Sequence, residues 1–321
     1  MMEFIMKNIL SGMLVATALT ATYSIASVEN LSQCGKVIAH ENGWVNFDPA
    51  EICHGLNTCP EQLAKMTDYN STQPASKQLH FVKMSLRRLS DGSWVISHNE
   101  SQPILVKNTD VNKVRGMTGV HCAPSVKGYN LCLVKLAALS SSNFSTLQTS
   151  YGLDVYRLSD YTNEDKANNF CYMLYFKVDP NQNILNDLYN LGINKRVLLE
   201  SRDNQNDATW IQNNQQVDKP IYYTGRVFQQ SDIDYLQDNK ATFPNMWAVE
   251  ISYGNWKNLQ TIRSYVQQVN KMGFKTELDS MDYASGDEVK RSYCDVPLKG
   301  LGASVTMTSN PLNCLTKVRN N

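Results

Sequence analysis

From residue 170 onward the chain repeats one unit: a short apolar run of β-branched and aromatic residues, then a stretch with helical periodicity. The runs are CYMLYFKV (171–178), RVLLES (196–201), PIYYTGRV (220–227), MWAVEISY (246–253), FKTELDSM (274–281) and ASVTMTS (303–309), all of strand length and composition. Between them, NILNDLYNLGINK sets Ile184, Leu185, Leu188 and Leu191 on one helical face and stops at Gly192, a residue suited to a left-handed helix cap. LQTIRSYVQQVNKMGF does the same with Leu259, Ile262, Val266 and Val269, stopping at Gly273. Alternating strands and helices require parallel strands joined by right-handed crossovers. Two earlier runs, KVIAH (36–40) and HFVKMSL (80–86), bring the strands to eight. The expected class is therefore α/β, an irregular TIM (β/α)8 barrel.

The chain is 321 residues long, enough for one barrel with insertions. Residues 27–321 read as a single domain, with an insertion at about 99–170 that contains two cysteines and a Ser-rich tract. The segment before it, MKNILSGMLVATALTATYSIAS, has one lysine, a short apolar core and Ser24-Ile25-Ala26 as a cleavage-like site. Residues 1–26 thus read as a signal peptide and the protein as exported, to a periplasmic or secreted location. No later segment approaches the ~18 continuous apolar residues of a membrane span. The eight cysteines fit an oxidising compartment. Proximity suggests Cys53 with Cys59, Cys122 with Cys132 and Cys294 with Cys314, leaving Cys34 and Cys171. The absence of any C-x-x-C pair argues against zinc. Thirty basic residues balance thirty acidic ones, so there is no global field for nucleic acid and none is expected as a partner.

Two histidines end strand-like runs: His40 in VIAHENG and His98 in DGSWVISHNES, where Asp91-Gly92 is a hairpin signal. These stretches resemble the glycerophosphodiester phosphodiesterases of the phospholipase C-like barrel superfamily. That family begins with Ala-His-Arg-Gly, continues through Glu-x-Asp, and then has Asp-Gly-x-x-Val-x-x-His-Asp. The spacing is kept, because Asp91 lies seven residues before His98. The C-terminal GASVTMTSNP is similar to the family's last strand. The specific motifs cover about twenty-five residues, and the outline covers nearly the whole mature chain. The resemblance implies a barrel of the phospholipase C-like phosphodiesterase type with His40 and His98 as catalytic pair. Phosphodiester cleavage needs a base for the attacking hydroxyl and an acid for the leaving alkoxide, and imidazole serves both.

The departures from the family pattern concern the metal. Its Glu-x-Asp falls at Lys83 and Ser85, and the Glu of its next Glu-x-Lys strand falls at Tyr175, with Lys177 matching the lysine. Glu41 replaces the arginine after the first histidine. A hard divalent cation is held by oxygen ligands, usually carboxylates, so the expected protein works without a metal cofactor. Calcium or magnesium would need displaced ligands such as Glu277 and Asp279. In bacterial phosphatidylinositol-specific phospholipases C, which the chain also resembles, an acidic residue follows the first histidine and no metal is used; the order of charges on their second strand is not kept here.

Two functions follow. One is a phosphodiesterase acting on a glycerophosphodiester or phosphoinositide-type headgroup, with fixed cations Lys83, Lys177 and Arg87 at the phosphoryl oxygens. The other is an inactive barrel that binds a phosphorylated or polyol ligand or a protein partner. Barrel sites lie at the C-terminal ends of strands, which adds Glu200, Arg226, Glu250, Glu277 and Asp279 as pocket candidates by position, about half of them facing inward. Trp44, Tyr222, Tyr223 and Tyr253 are candidates for an aromatic lip, with core positions as the alternative. His80 opens its strand at the end away from the chemistry.

Overall fold

The computed structural model describes residues 28–40, 46–47, 53, 58–124, 128–167, 169–252, 259–279, 298 and 300–317. Residues 1–27, which contain the expected signal peptide, lie outside them, as do Glu41, Trp44, Tyr253 and Cys294.

The eight expected strands form the barrel. They are β1 (Val37–His40), β2 (Phe81–Arg88), β7 (Cys171–Phe176), β8 (Val197–Glu200), β9 (Tyr222–Val227), β10 (Met246–Ser252), β11 (Lys275–Asp279) and β12 (Val305–Thr308). The order is β1-β12-β11-β10-β9-β8-β7-β2, all parallel, and β1 pairs with β2 to close the ring. The hairpin signal is also realised: β3 (Trp94–Ile96) returns antiparallel along the end of β2, with Leu86 opposite Ile96. Gly92 takes φ +84° in the turn, a conformation costly for residues with a Cβ. Asp91 accepts from the Ser93 and Ser141 backbone amides at 3.1 and 2.8 Å. Burial opposes its charge, but these bonds and those from the serine hydroxyls outweigh it and lower its pKa.

Because both faces of each barrel strand are covered, the strands read as continuous apolar runs. Alternate residues nonetheless sort into two cores. Val37, Ala39, Val82, Met84, Leu174, Leu199 and Val249 pack with Ile184, Leu185, Leu188, Ile262, Val266 and Val269 of the surrounding helices. Ile38, Phe81, Cys171, Met173, Leu198, Val305 and Met307 form the inner cluster with Val28, Leu31 and Cys34. The N-terminal segment therefore fills the barrel beneath the strand starts. The Cys34–Cys171 disulfide fastens it there.

Three disulfides join described residues: Cys34–Cys171, Cys53–Cys59 and Cys122–Cys132. Cys314 is also disulfide-bonded, while its expected partner Cys294 lies outside the described residues. The first bridge spans a sequence separation of 137 residues, so chain entropy gives it the largest share. Cys34→Ser with Cys171→Ser is expected to lower unfolding free energy by about 2–5 kcal/mol, read as a drop in the urea midpoint.

Residues 101–135 build a second sheet of three antiparallel strands, β4 (Ser101–Lys107), β5 (Val120–Pro124) and β6 (Tyr129–Lys135), in the order β4-β6-β5. Its inner face packs Ile104, Val106, Val120 and Val134 on Phe144 and Leu147 of the helix Ser141–Tyr151 and on Leu89 and Val95 of the hairpin. Among the described residues no helix is long and apolar enough to cross a membrane.

Candidate functional site

The strand register stacks polar residues in the upper half of the barrel, above the inner apolar cluster. His40 lies opposite Lys83, and two residues further along β2, Ser85 aligns with Tyr175, Tyr175 with Glu200 and Glu200 with Thr224. Across the ring, Arg226 aligns with Glu250 and Glu250 with Glu277. All of these share the inward parity of Ile38, Phe81, Met173 and Leu198. The parity keeps more of the expected carboxylates inside than half: Glu200, Glu250 and Glu277 are all buried.

His40 is 2 % exposed and Lys83 is 4 % exposed. Burial, and then the positive charges of Lys83, His98 and Lys177, hold the His40 pKa well below the ordinary histidine range. The imidazole is therefore neutral at pH 7 and able to accept a proton. His98, by contrast, is exposed. Its loop is tied to β2 by Ser97, whose amide donates to the Ser85 carbonyl at 2.9 Å, and by Arg87, whose Nη2 donates to the His98 carbonyl at 2.9 Å. Arg87 thus braces the loop that carries the second histidine. Gln102 Nε2 donates to Ser97 Oγ at 3.0 Å and holds the same turn from β4.

The hub of the cationic side is a residue that motif comparison marks only as a loss. The Tyr175 ring has Lys83 Nζ at 4.9 Å, Lys177 Nζ at 4.6 Å and the Arg226 guanidinium at 5.5 Å from its centroid. A ring face attracts cations, so Tyr175 gathers three of them. Arg226 Nη2 also donates to Glu250 Oε1 at 2.7 Å. Burial opposes the Arg226 charge, but Glu250, Glu200 and Tyr175 prevail and raise its pKa. Two inward acceptors in one register row, Glu200 Oε2 and Ser85 Oγ, are buried with no hydrogen-bond partner among the described residues, an arrangement that costs free energy unless a ligand supplies one.

Some candidates lie elsewhere. Tyr223 is fully buried among the residues between barrel and helices, and Tyr222 packs with the inner apolar cluster at the strand starts, so neither forms a lip. Both begin β9, at the end away from the mouth. His80 donates from Nδ1–H to the Asn169 carbonyl, 2.7 Å away, at the foot of β2. Asp279 closes β11, and its side chain lies outside the described residues.

The depressed pKa of His40 has a consequence for stability. The folded pKa lies below the unfolded value of about 6.5, so the unfolded chain takes up the proton first as pH falls. The stabilisation is complete above about pH 6.5 and is lost on acidification toward the folded pKa. His80, also lowered chiefly by burial, acts in the same direction. His40→Gln should flatten this acid dependence in urea titrations at about pH 5 to 7, by up to about 1.4 kcal/mol per pH unit.

Neither a family model nor a curated protein matches the sequence. Solved structures do match the fold. A glycerophosphoryl diester phosphodiesterase from Parabacteroides distasonis is 10% identical, with 92% of this chain and 93% of that chain covered at a TM-score of 0.55. Glycerophosphodiester phosphodiesterases from Thermotoga maritima and Agrobacterium tumefaciens are 11% and 12% identical, covering 88% and 87% of this chain and 97% and 99% of theirs, each with a TM-score of 0.51. The fold is thus the glycerophosphodiester phosphodiesterase-like barrel.

Proposed function

We propose that this chain is an exported phosphodiesterase that cleaves a glycerophosphodiester or phosphoinositide-type substrate without a divalent metal, using His40 and His98 as its acid–base pair. The observation that carries the reading is the buried His40, kept neutral beside Lys83, His98 and Lys177 at the upper end of a barrel of this fold. His40 accepts the proton of the attacking hydroxyl as its oxygen bonds to phosphorus. His98 donates a proton to the alkoxide as the old phosphorus–oxygen bond breaks. Lys83 and Lys177, gathered on Tyr175, neutralise the charge that builds on the phosphoryl oxygens.

The donor set does not suit the metal of related barrels. Where the family resemblance puts carboxylates, this chain has Lys83, Ser85 and Tyr175, and an ammonium offers no lone pair and repels a cation. The phosphate-neutralising role therefore falls to the lysines. Glu200, Arg226 and Glu250, on the three strands that follow β7 around the ring, are assigned to the polyol part of the substrate. Glu200 Oε2 and Ser85 Oγ supply acceptors for its hydroxyls. Glu41, outside the described residues, and Asp279, at the end of β11 with its side chain outside them, complete the proposed set. Three disulfides support export.

The test is hydrolysis of glycerophosphodiesters and phosphatidylinositol by the mature protein, with EDTA and with added calcium or magnesium. Turnover that survives EDTA is expected; turnover that needs the metal sinks the assignment. If no condition gives turnover while inositol phosphate raises the melting temperature, the barrel binds such ligands and does not cut them.

A further inference from the structure

The second sheet presents an apolar surface to solvent on the face away from its own core. In β6 the burial alternates strictly: Asn130, Cys132 and Val134 point inward, and Tyr129, Leu131, Leu133 and Lys135 point outward. Leu105 on β4 lies opposite Leu131, and Pro103 lies opposite Leu133. On the other side, Ala123 of β5 faces Leu131, and His121 faces Leu133. Leu105, Leu131 and Leu133 are 56, 46 and 49 % exposed, and Tyr129 is 39 % exposed. These are four of the six exposed large apolar side chains among the described residues, the others being Val217 and Phe228. A sheet with one face on a core usually turns polar residues to water, so a contiguous apolar outer face marks a surface that meets something.

The charge around it selects the partner. Residues 101–135 carry Lys107, Lys113, Arg115, Lys135 and, outside the described residues, Lys127, against Asp110 alone, which pairs with Lys113 at 2.8 Å. Even with Glu100, which pairs with Lys135 at 3.4 Å, the balance is five basic to two acidic in a chain that is neutral overall. Within the strand register, exposed Lys107 flanks Leu105 two residues away, beside Tyr129, and Lys135 flanks Leu133. Leucine and tyrosine surrounded by lysine suits the boundary of an anionic bilayer, where apolar groups enter the acyl region and ammonium groups meet lipid phosphates.

We propose that this three-stranded sheet is a docking surface for anionic membranes. The sheet springs from Ser101, three residues past His98, and returns at Leu136, whose amide donates to the Glu100 carbonyl at 3.1 Å. A bilayer seated on it therefore lies on the side of the barrel that carries His98. The Cys122–Cys132 bridge joins directly opposed residues of β5 and β6 and stiffens the platform. The inference concerns the surface alone and holds whether or not the barrel cleaves a diester.

The experiment is co-sedimentation of the mature protein with vesicles of phosphatidylcholine alone and of phosphatidylcholine mixed with phosphatidylglycerol, alongside analytical ultracentrifugation without lipid. The expected result is binding to the anionic vesicles and much less to the neutral ones. Lys107→Glu with Lys135→Glu should lower the partition coefficient at least about tenfold at ~0.1 M salt. Leu131→Ser with Leu133→Ser should lower it also at low salt, where electrostatic attraction persists. Circular dichroism and an unchanged melting temperature certify that these exposed substitutions leave the fold intact. Equal binding to both vesicle types, no binding to either, or anionic binding unaffected by the leucine changes would each overturn the proposal. So would a dimer that the leucine changes dissociate in the absence of vesicle binding, since the face would then belong to a second copy.

Discussion

His40→Ala is expected to reduce diester turnover by about 10²- to 10⁴-fold, the range a positioned general base contributes. The size follows from the environment of the ring. A histidine that is 2 % exposed cannot be replaced by a passing water without cost, because its site is closed to solvent and bordered by Lys83 and Lys177. His98→Ala should fall in the same range, and the double variant should lose little more than the worse single one, because residues acting as a unit are not additive. The pH profile separates a catalytic from a structural role. Since His40 is held below the ordinary histidine range, the acid limb of kcat/KM should lie below the pH at which free imidazole titrates, and the rate should fall as pH drops through that limb. A profile whose acid limb lies at about 6.5 would assign the base to another group. The structural alternative also predicts lost melting temperature, whereas removing His40 relieves a like-charge contact with Lys83 on acidification.

The second large effect is on stability. Asp165→Ala is expected to cost about 3–5 kcal/mol, the penalty for leaving a buried charge without its partner. Asp165 accepts from the Asn169 and Phe170 amides at 2.6 and 3.2 Å, from the Tyr172 hydroxyl at 2.9 Å and from Arg196 Nη1 at 3.0 Å. Its side chain is fully buried and that of Arg196 is 7 % exposed. Arg196 also donates to the Phe170 carbonyl, so the pair fixes the chain where it enters β7. Replacing both, Asp165→Leu with Arg196→Met, should recover most of the loss, as isosteric apolar replacement of a buried pair often does. Urea unfolding of the single and double variants measures the difference; a double variant as unstable as Asp165→Ala would show that the backbone amides, not the ion pair, dominate.

The barrel was legible because its strands are apolar on both faces and its helices keep a 3.6-residue rhythm; all eight runs form strands, and Ile184, Leu185 and Leu188 are buried as their spacing predicts. The histidines were legible from their place in two motifs. Tyr175 was not, since a motif records which residue is missing and says nothing of what its replacement gathers. Glu250 could be assigned to a strand end but not to the interior, because a bulge between Met246 and Ala248 shifts the register of β10 against β9. The second sheet escaped for a related reason. Apolar residues stand on both faces of β4 and β6, which removes the alternation that would have announced half-buried strands.

The fastening of Cys34 to Cys171 makes the barrel a cup. With Val28 and Leu31 packed beneath the strand starts, the polar upper tier has a floor of side chains held by a covalent pin. Whatever occupies that tier must arrive and depart through the same rim, so an occupant and its successor compete for one passage.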